Sequence, residues 1–380
     1  MSAPATAPPL APRAPLDLTG GRRDDARLLV AWREDGRLVE ATMADLPAFL
    51  VPGDVLVVNT SATLPAALVA DGVGDVTPTP DVEGGLVVHL STRLDGEDLW
   101  VVEPRHRHGA GSTPWFDFPP DRPVLLPGGA RLDLIEPYRP DGHVRRTSPQ
   151  TPAGRPVGPS GPVARRPAPV RLWVARLRLP RPLDEHLERF GRPIRYGRDA
   201  RPWPLSAYQT VFATVPGSAE MPSAGRGFTP ELVTRLVSRG VVIAPIVLHT
   251  GVASPEADET PYPERYAVPP ATAAAVEHAR REGRRVIAVG TTATRAIETV
   301  ADEEGRVRPG AGWTDLVITP ERGVRVVDGL LSGWHDPEAS HLLLVEAVAG
   351  RELLDQSYER AVACGFAGHE FGDFHLVLGS

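Results

Sequence analysis

The stretch RRVIAVGTTATRAIETV, residues 284–300, decides the fold class. Its first half is a short apolar run of the kind that forms a buried strand. After the single Gly290, TTATRAIETV reads as a helix that continues into ADEEG. A glycine turn between strand and helix places the helix N-terminus at the end of the strand. Unpaired amides there can bind an anion, with Thr291 or Thr292 as cap and Arg295 one turn in, facing the same end. The competing reading is an ordinary strand-to-helix turn with a threonine cap.

Outward from this unit the alternation repeats. FTPELVTRLVSRG (228–240) predicts a helix with Thr229 as N-cap, Pro230 at its first position and Gly240 at its end. VVIAPIVLH (241–249) predicts a strand, and PPATAAAVEHARREG (269–283) the next helix. One long final helix is expected over SHLLLVEAVAG and on through ELLDQSYERAVACG. Further upstream, RLLVA (27–31) and VLVVN (55–59) read as buried strands, with a short helix over 41–50 between them. Such alternation implies a mainly parallel sheet or barrel. Residues 86–90, 99–103, 122–126 and 131–135 are short, β-rich and separated by Gly, Pro and Asp, which suggests a small all-β unit. RHRHG (105–109) reads as a solvated turn, and HEFGDFH (369–375) has no spacing of a known metal site.

Composition narrows the function classes. Hydrophobic residues make up 42% and charged residues 23% of the 380, a globular balance. The single cysteine, Cys364, excludes an internal disulfide framework and fits a reducing, cytoplasmic setting. No apolar run is long enough to cross a bilayer. The net charge is −7, but residues 145–201 carry 14 Arg against 4 acids, or +10, leaving −17 for the rest. This basic segment includes Arg165, Arg166, Arg176 and Arg178 and is interleaved with Trp173, Phe190 and Tyr196. Arginine neutralises phosphate and aromatic rings stack on unpaired bases, so it is a candidate RNA-binding element. A solvated Arg-rich loop is the competing reading.

Four ordered stretches carry a family resemblance: PGDVLVVNTSATLPAAL (52–68), YQTVFATVPGSAEMPSAGRGFTPELVTRL (208–236), the opening stretch 284–300, and GWTDLVITPERGVRVVDGLLSGWHDPEASHLLLVEAVAG (312–350). They resemble the signatures of the S-adenosylmethionine:tRNA ribosyltransferase-isomerases, which build epoxyqueuosine in the tRNA anticodon loop. The resemblance implies an α/β fold: a barrel-like main domain over 16–69 and 186–380, interrupted by an inserted β-barrel domain at 70–185. The insert would carry a Pro/Arg-rich loop at about 147–170, and residues 1–15 would be a disordered tail. It implies tRNA as partner and S-adenosylmethionine as a consumed substrate, with no separate cofactor, metal or membrane. The chain departs from the family pattern at Thr60 and Ala62, and the family's His-x-Met-His-x-Glu segment retains only an aligned Glu264. These departures keep two alternatives open, a diverged relative acting on another substrate and a non-catalytic RNA-binding relative.

The resemblance also implies a site. In the family-type reaction a base removes a proton from the ribose carbon beside the sulfonium. Adenine then leaves, an aminomethyl group of the tRNA base attacks, and methionine is expelled as an epoxide forms. Candidates for the catalytic groups are His335, at a loop mouth before Pro337, His249, at a strand end, and Asp373, in the C-terminal Gly-Asp. Substrate-binding candidates are Asn59, Gly290, Thr291, Thr292, Arg295, Thr314 and Asp315, with Trp313 and Trp334 as an aromatic wall for adenine or the sulfonium.

Overall fold

The computed structural model describes residues 9–73, 85–96, 98–108, 111–139, 170–195, 201–252, 261–336, 341–368 and 370–379. Arg165, Arg166, Tyr196 and Pro337, the loop at about 147–169 and residues 1–8 lie outside this set.

The chain opens with the antiparallel strands β1 (Arg27–Trp32) and β2 (Leu38–Thr42), followed by β3 (Val55–Asn59) and β4 (Ser61–Thr63). Eight strands follow: β5 (Ala67–Val69), β6 (Gly72–Val73), β7 (Leu86–Arg93), β8 (Leu99–His108), β9 (Gly111–Pro114), β10 (Val124–Leu126), β11 (Ala130–Pro137) and β12 (Trp173–Arg178). Next come α1 (Leu183–Phe190), β13 (Val215–Ser218), α2 (Pro230–Ser238), β14 (Val242–His249), β15 (Glu264–Val268) and α3 (Pro270–Arg281). The chain finishes with β16 (Val286–Val289), α4 (Thr291–Thr299), β17 (Gly310–Thr314), β18 (Gly329–Gly333), α5 (His341–Ala349), α6 (Arg351–Ala363) and β19 (Phe374–Leu378).

Nine of these strands form one sheet in the order β17-β15-β14-β3-β16-β18-β19-β1-β2. Alternation along the central strand explains why it is covered on both faces. Val55 and Val57 of β3 join one core cluster with residues of α3, α4, α5 and α6, while Leu56 and Val58 join another with Leu232 and Leu236 of α2. The sheet is mixed, not mainly parallel. β3 pairs in parallel with β14 and β16, as do β16 with β18 and β1 with β19; the other four neighbouring pairs are antiparallel. Parallel neighbours need a crossover, whereas β14 reaches β15 with no helix among the described residues, and so pairs antiparallel.

Two further expectations are corrected. The final helix is broken: Gly350, at φ 80, separates α5 from α6, a conformation that costs glycine little and other residues more. Residues 9–15 are anchored. Ala11 accepts the Gly368 amide at 2.9 Å, and Arg13 meets Asp373 at 2.8 Å.

Strands β5 to β12 form an antiparallel sheet in the order β5-β7-β8-β12-β11-β10-β6, with β9 on β8. Its path ends at β5 and β6, which are contiguous in the chain. Between them the Ala70 amide donates to Leu86 and the Asp71 amide to Leu125, so the backbone itself links the two edges. RHRHG is no solvated turn: Arg105 lies in β8 and is buried, with its guanidinium 2.8 Å from the buried Glu103.

Candidate active site

The opening stretch folds as β16, Gly290 and α4. Gly290 is the N-cap at φ 94, and a Cβ there would stand 3.1 Å from that of Ala224. No side chain caps the helix, so neither Thr291 nor Thr292 acts as the expected cap. The first intrahelical bond runs from the Thr294 amide to the Gly290 carbonyl, 3.2 Å. The amides before it point out of the helix, where the dipole favours an anion. Behind this turn sits Asn59, buried at the end of β3. Its carboxamide accepts the Leu248 amide at 3.0 Å, donates to the Leu248 carbonyl at 2.8 Å and donates to the Thr292 hydroxyl at 3.2 Å. Asn59 therefore ties β3 to β14 and positions Thr292.

Arg295 is buried and committed. Its guanidinium pairs with Glu264 and donates to the carbonyls of Leu316 at 3.0 Å and Thr314 at 3.4 Å. Glu264 also accepts the Gly251 amide at 3.3 Å. Burial raises its carboxyl pKa, and Arg295 works in the opposite direction. This changes the expected role of Arg295: its guanidinium is committed to Glu264 and two carbonyls, which leaves the α4 amides as the groups free of it at this end of the cavity.

Gly290, Thr291, Thr292, Arg295 and His335 line one cavity. Four groups that the sequence analysis did not place there join them, Glu220, Glu264, His341 and Glu370. The His335 ring lies 5.4 Å from that of His341, and its backbone carbonyl accepts the Tyr358 hydroxyl at 3.0 Å. Three carboxylates, two imidazoles and a helix N-terminus thus face a common space. Such a lining can hold a ligand with both a cation and a carboxylate, and it supplies an imidazole for proton transfer. Among the missed residues only Glu264 had a signal, its alignment with the family glutamate. Nothing in the spacing of Glu220, His341 or Glu370 ties them to residues 290–295.

Other candidates lie elsewhere. Trp334 is no part of a wall: it is 1% exposed, stacked on His375 at 4.7 Å and set edge-on to Tyr358 and Phe366. Trp313 lines neither this cavity nor the second one described below, and its indole donates to Asp95 at 3.1 Å. Thr314 is buried, 2.6 Å from the Thr299 hydroxyl, and supports Arg295 from behind. Asp315 is exposed outside the cavity. Asp373 is a structural anchor, since its carboxylate accepts the amides of Arg27 and Ala367, both at 2.8 Å, as well as Arg13. Arg176 and Arg178 lie exposed on β12, where Arg178 pairs with Asp133 at 3.2 Å.

His249 opens on a second cavity of about 820 Å3, bounded by α1, residues 203–205, β13 and Ala62. Thr92 lines both cavities, so they adjoin. Burial, followed by the nearby Arg265, lowers the His249 pKa.

Residues 8–377 match the family described as queuosine biosynthesis protein. An S-adenosylmethionine:tRNA ribosyltransferase-isomerase from Desulfitobacterium hafniense is 33% identical over 94% of this chain and 94% of its own length. One of the same name from Thermus thermophilus is 37% identical over 94% and 93%. The crystal structure of an S-adenosylmethionine tRNA ribosyltransferase from Thermotoga maritima, 24% identical, aligns over 100% of this chain and 99% of that one with a TM-score of 0.47. A match over nearly the whole length, together with relatives above 30% identity, means that this chain belongs to the queuosine biosynthesis protein family.

Proposed function

We propose that this protein is an S-adenosylmethionine:tRNA ribosyltransferase-isomerase. It transfers and isomerises the ribosyl moiety of S-adenosylmethionine onto the aminomethyl-deazaguanine base of a tRNA, giving epoxyqueuosine and releasing adenine and methionine. The observation that carries the reading is the convergence of His335, the α4 N-terminus and the Glu264–Arg295 pair on one cavity in a chain of this family. In this reading the α4 amides take the carboxylate of the methionyl group, and the carboxylates of the lining offset the sulfonium and ammonium charges. His335 accepts the proton from the ribose carbon beside the sulfonium. S-adenosylmethionine is consumed, so no separate cofactor is required. The reaction belongs in the cytoplasm, and no helix among the described residues is long and apolar enough to cross a membrane. The sheet of β5 to β12 is read as an inserted β-barrel domain spanning 70–185, on a barrel-like α/β main domain, with Arg176 and Arg178 contributing to an RNA-facing surface.

One observation favours a diverged relative with a different acceptor: Ala62, where the chain departs from the family pattern, lines the second cavity. Mass spectrometry of tRNA nucleosides separates the two. After incubation with S-adenosylmethionine and precursor tRNA, the aminomethyl-deazaguanosine peak should be replaced by epoxyqueuosine. Consumption of S-adenosylmethionine with an unchanged tRNA would support the diverged relative, and no consumption at all would reject the assignment.

A further inference from the structure

His249 ends β14 beside the second cavity, and its ring is tied from one side by two buried hydroxyls. The Ser61 Oγ lies 2.7 Å from His249 Nδ1 and 2.6 Å from the Ser218 Oγ, and the Thr250 amide donates to the Ser218 Oγ at 3.0 Å. Both serines are 0% exposed, so each hydroxyl proton needs an acceptor within this chain of contacts. The Thr250 amide is a fixed donor, and it occupies one acceptor position of Ser218. If Ser218 donates to Ser61, and Ser61 donates to Nδ1, every proton has an acceptor. In the reverse order His249 Nδ1–H donates to Ser61 and Ser61 to Ser218, leaving the Ser218 proton with no acceptor among the described residues. A buried donor left in that state loses its hydration without compensation. The first order is the favoured one. It makes Nδ1 an acceptor and puts the ring proton on Nε2, which has no partner among the described residues. Gly217 packs over the Nδ1 and Cε1 edge so closely that a Cβ there would come within 2.5 Å of either atom. The ring is therefore held in place as well as in tautomer.

The cavity in front of that Nε2–H has room for a nucleobase, since sites for small ligands occupy roughly 300–1,000 Å3. Its wall includes Trp203 and the cations Arg93, Arg192 and Arg265, which outnumber the acids Asp184 and Glu188. An aromatic face beside cations is how proteins hold a base splayed from a single strand, and base edges are then read by hydrogen bonds. We propose that His249 is fixed as its Nε2–H tautomer and donates that hydrogen bond to a carbonyl oxygen of an unpaired nucleobase in the second cavity. It is thus a substrate-binding donor, not the base of the reaction. The proposal rests on the tRNA acceptor put forward above, and it leaves proton abstraction to His335 across the shared wall at Thr92.

The tautomer can be read without turnover. Long-range proton–nitrogen correlation on 15N-histidine-labelled protein, with the His249 signals assigned by their loss in His249→Gln, should show Nδ1 unprotonated and Nε2 protonated. Ser61→Ala should remove that bias; if it fails to fold, Ser218→Ala interrupts the same chain one link earlier. A protonated Nδ1 in the wild type would overturn the proposal. Steady-state kinetics supply the second arm. Glutamine can present its side-chain N–H near the Nε2 position, so His249→Gln should keep KM for precursor tRNA within a few-fold and leave the pH profile of kcat unchanged. His249→Ala should raise that KM by roughly tenfold. If Gln is as damaging as Ala and the acidic limb of the profile disappears, His249 is a base. A tRNA abasic at the acceptor position should bind wild type and His249→Ala equally; a difference there would put the accepted oxygen on the backbone and overturn the nucleobase assignment. Failure of the wild type to modify tRNA would count against the function, while the nitrogen spectra would still decide the tautomer.

Discussion

Two clusters of buried charge, one in each large sheet, are wired in different ways. In the antiparallel sheet Glu103 is 0% exposed, 2.8 Å from Arg105 and 2.9 Å from Arg171, with His89 at 3.6 Å. Arg105 spends its other donors on Ser112. Neither Glu103 nor its two arginines line either cavity described above. At the end of the nine-stranded sheet, Glu264 and Arg295 pair just as closely, but both line a cavity shared with His335 and the α4 N-terminus. Burial and pairing alone therefore do not mark a site; facing an open space beside a group that can move a proton does. Breaking the first cluster is therefore expected to cost stability, and altering the second site to cost chemistry.

The largest effect should come from His335→Ala, which is expected to lower turnover by about two to four orders of magnitude, the usual contribution of a general acid–base group. Thermal unfolding and S-adenosylmethionine affinity, measured on the same preparation, should barely change. A fall in melting temperature with proportional loss of activity would make His335 structural and erase the contrast. Glu103→Ala is the mirror case. It leaves Arg105 and Arg171 buried without their carboxylate and should destabilise by roughly 3–5 kcal/mol in denaturant titrations, with kcat per folded molecule unchanged.

Acid acts on two buried groups whose pKa values the fold lowers. Burial by itself would raise the Glu103 pKa, but His89 and the charges of Arg105 and Arg171 outweigh it and bring it from 4.5 to about 2. A carboxylate depressed in the fold stabilises above its unfolded pKa, so this contribution, about 3 kcal/mol at most, is lost between about pH 4.5 and pH 2. His375, stacked on Trp334, is held by burial at about 3. Its unfolded form takes up a proton first, so stability falls as pH drops from about 6.5 toward 3, by about 1.4 kcal/mol per unit. Between pH 7 and pH 5 the wild type should lose about 2 kcal/mol more than His375→Phe, a difference that urea titrations at the two values would detect. Equal losses would mean that His375 titrates normally in the fold.

The smallest effect is expected from Arg176→Ala combined with Arg178→Ala. Arg178 already shares Asp133 with Arg131, so tRNA affinity should weaken only several-fold and the salt slope should shallow by about one to two. No change in either would remove these two arginines from the RNA-facing surface.

Periodicity and turn chemistry made much of this fold readable. Thr229 caps α2 by accepting the Leu232 amide at 3.1 Å, with Pro230 first in the helix, as TPELV announces. The strand–Gly290–helix unit also appears as read. The break between α5 and α6 is local, because Gly350 takes φ 80 at little cost and nothing among the described residues packs against it. Elsewhere tertiary contacts decide. MSAPATAPPLAPRAP has the composition of a tail, yet Arg13 is fixed by Asp373, which lies 360 residues further along the chain. Trp334 stood beside His335 in the sequence, but adjacent residues on an extended segment point to opposite sides, so one enters the core and the other the cavity. Glu220 and Glu370 reach the cavity from segments about 150 residues apart, and no spacing in either segment could place them there.

The most direct test is the fate of the hydrogens beside the sulfonium. S-adenosylmethionine deuterated at that ribose carbon would be incubated with precursor tRNA and either the wild type or His335→Gln, following adenine release and deuterium appearing in water. The wild type is expected to release adenine and lose one deuterium per turnover, whereas His335→Gln, folded and still binding the substrate, does neither at a measurable rate. Deuterium loss at the wild-type rate in His335→Gln would contradict it, because another group would then be removing the proton.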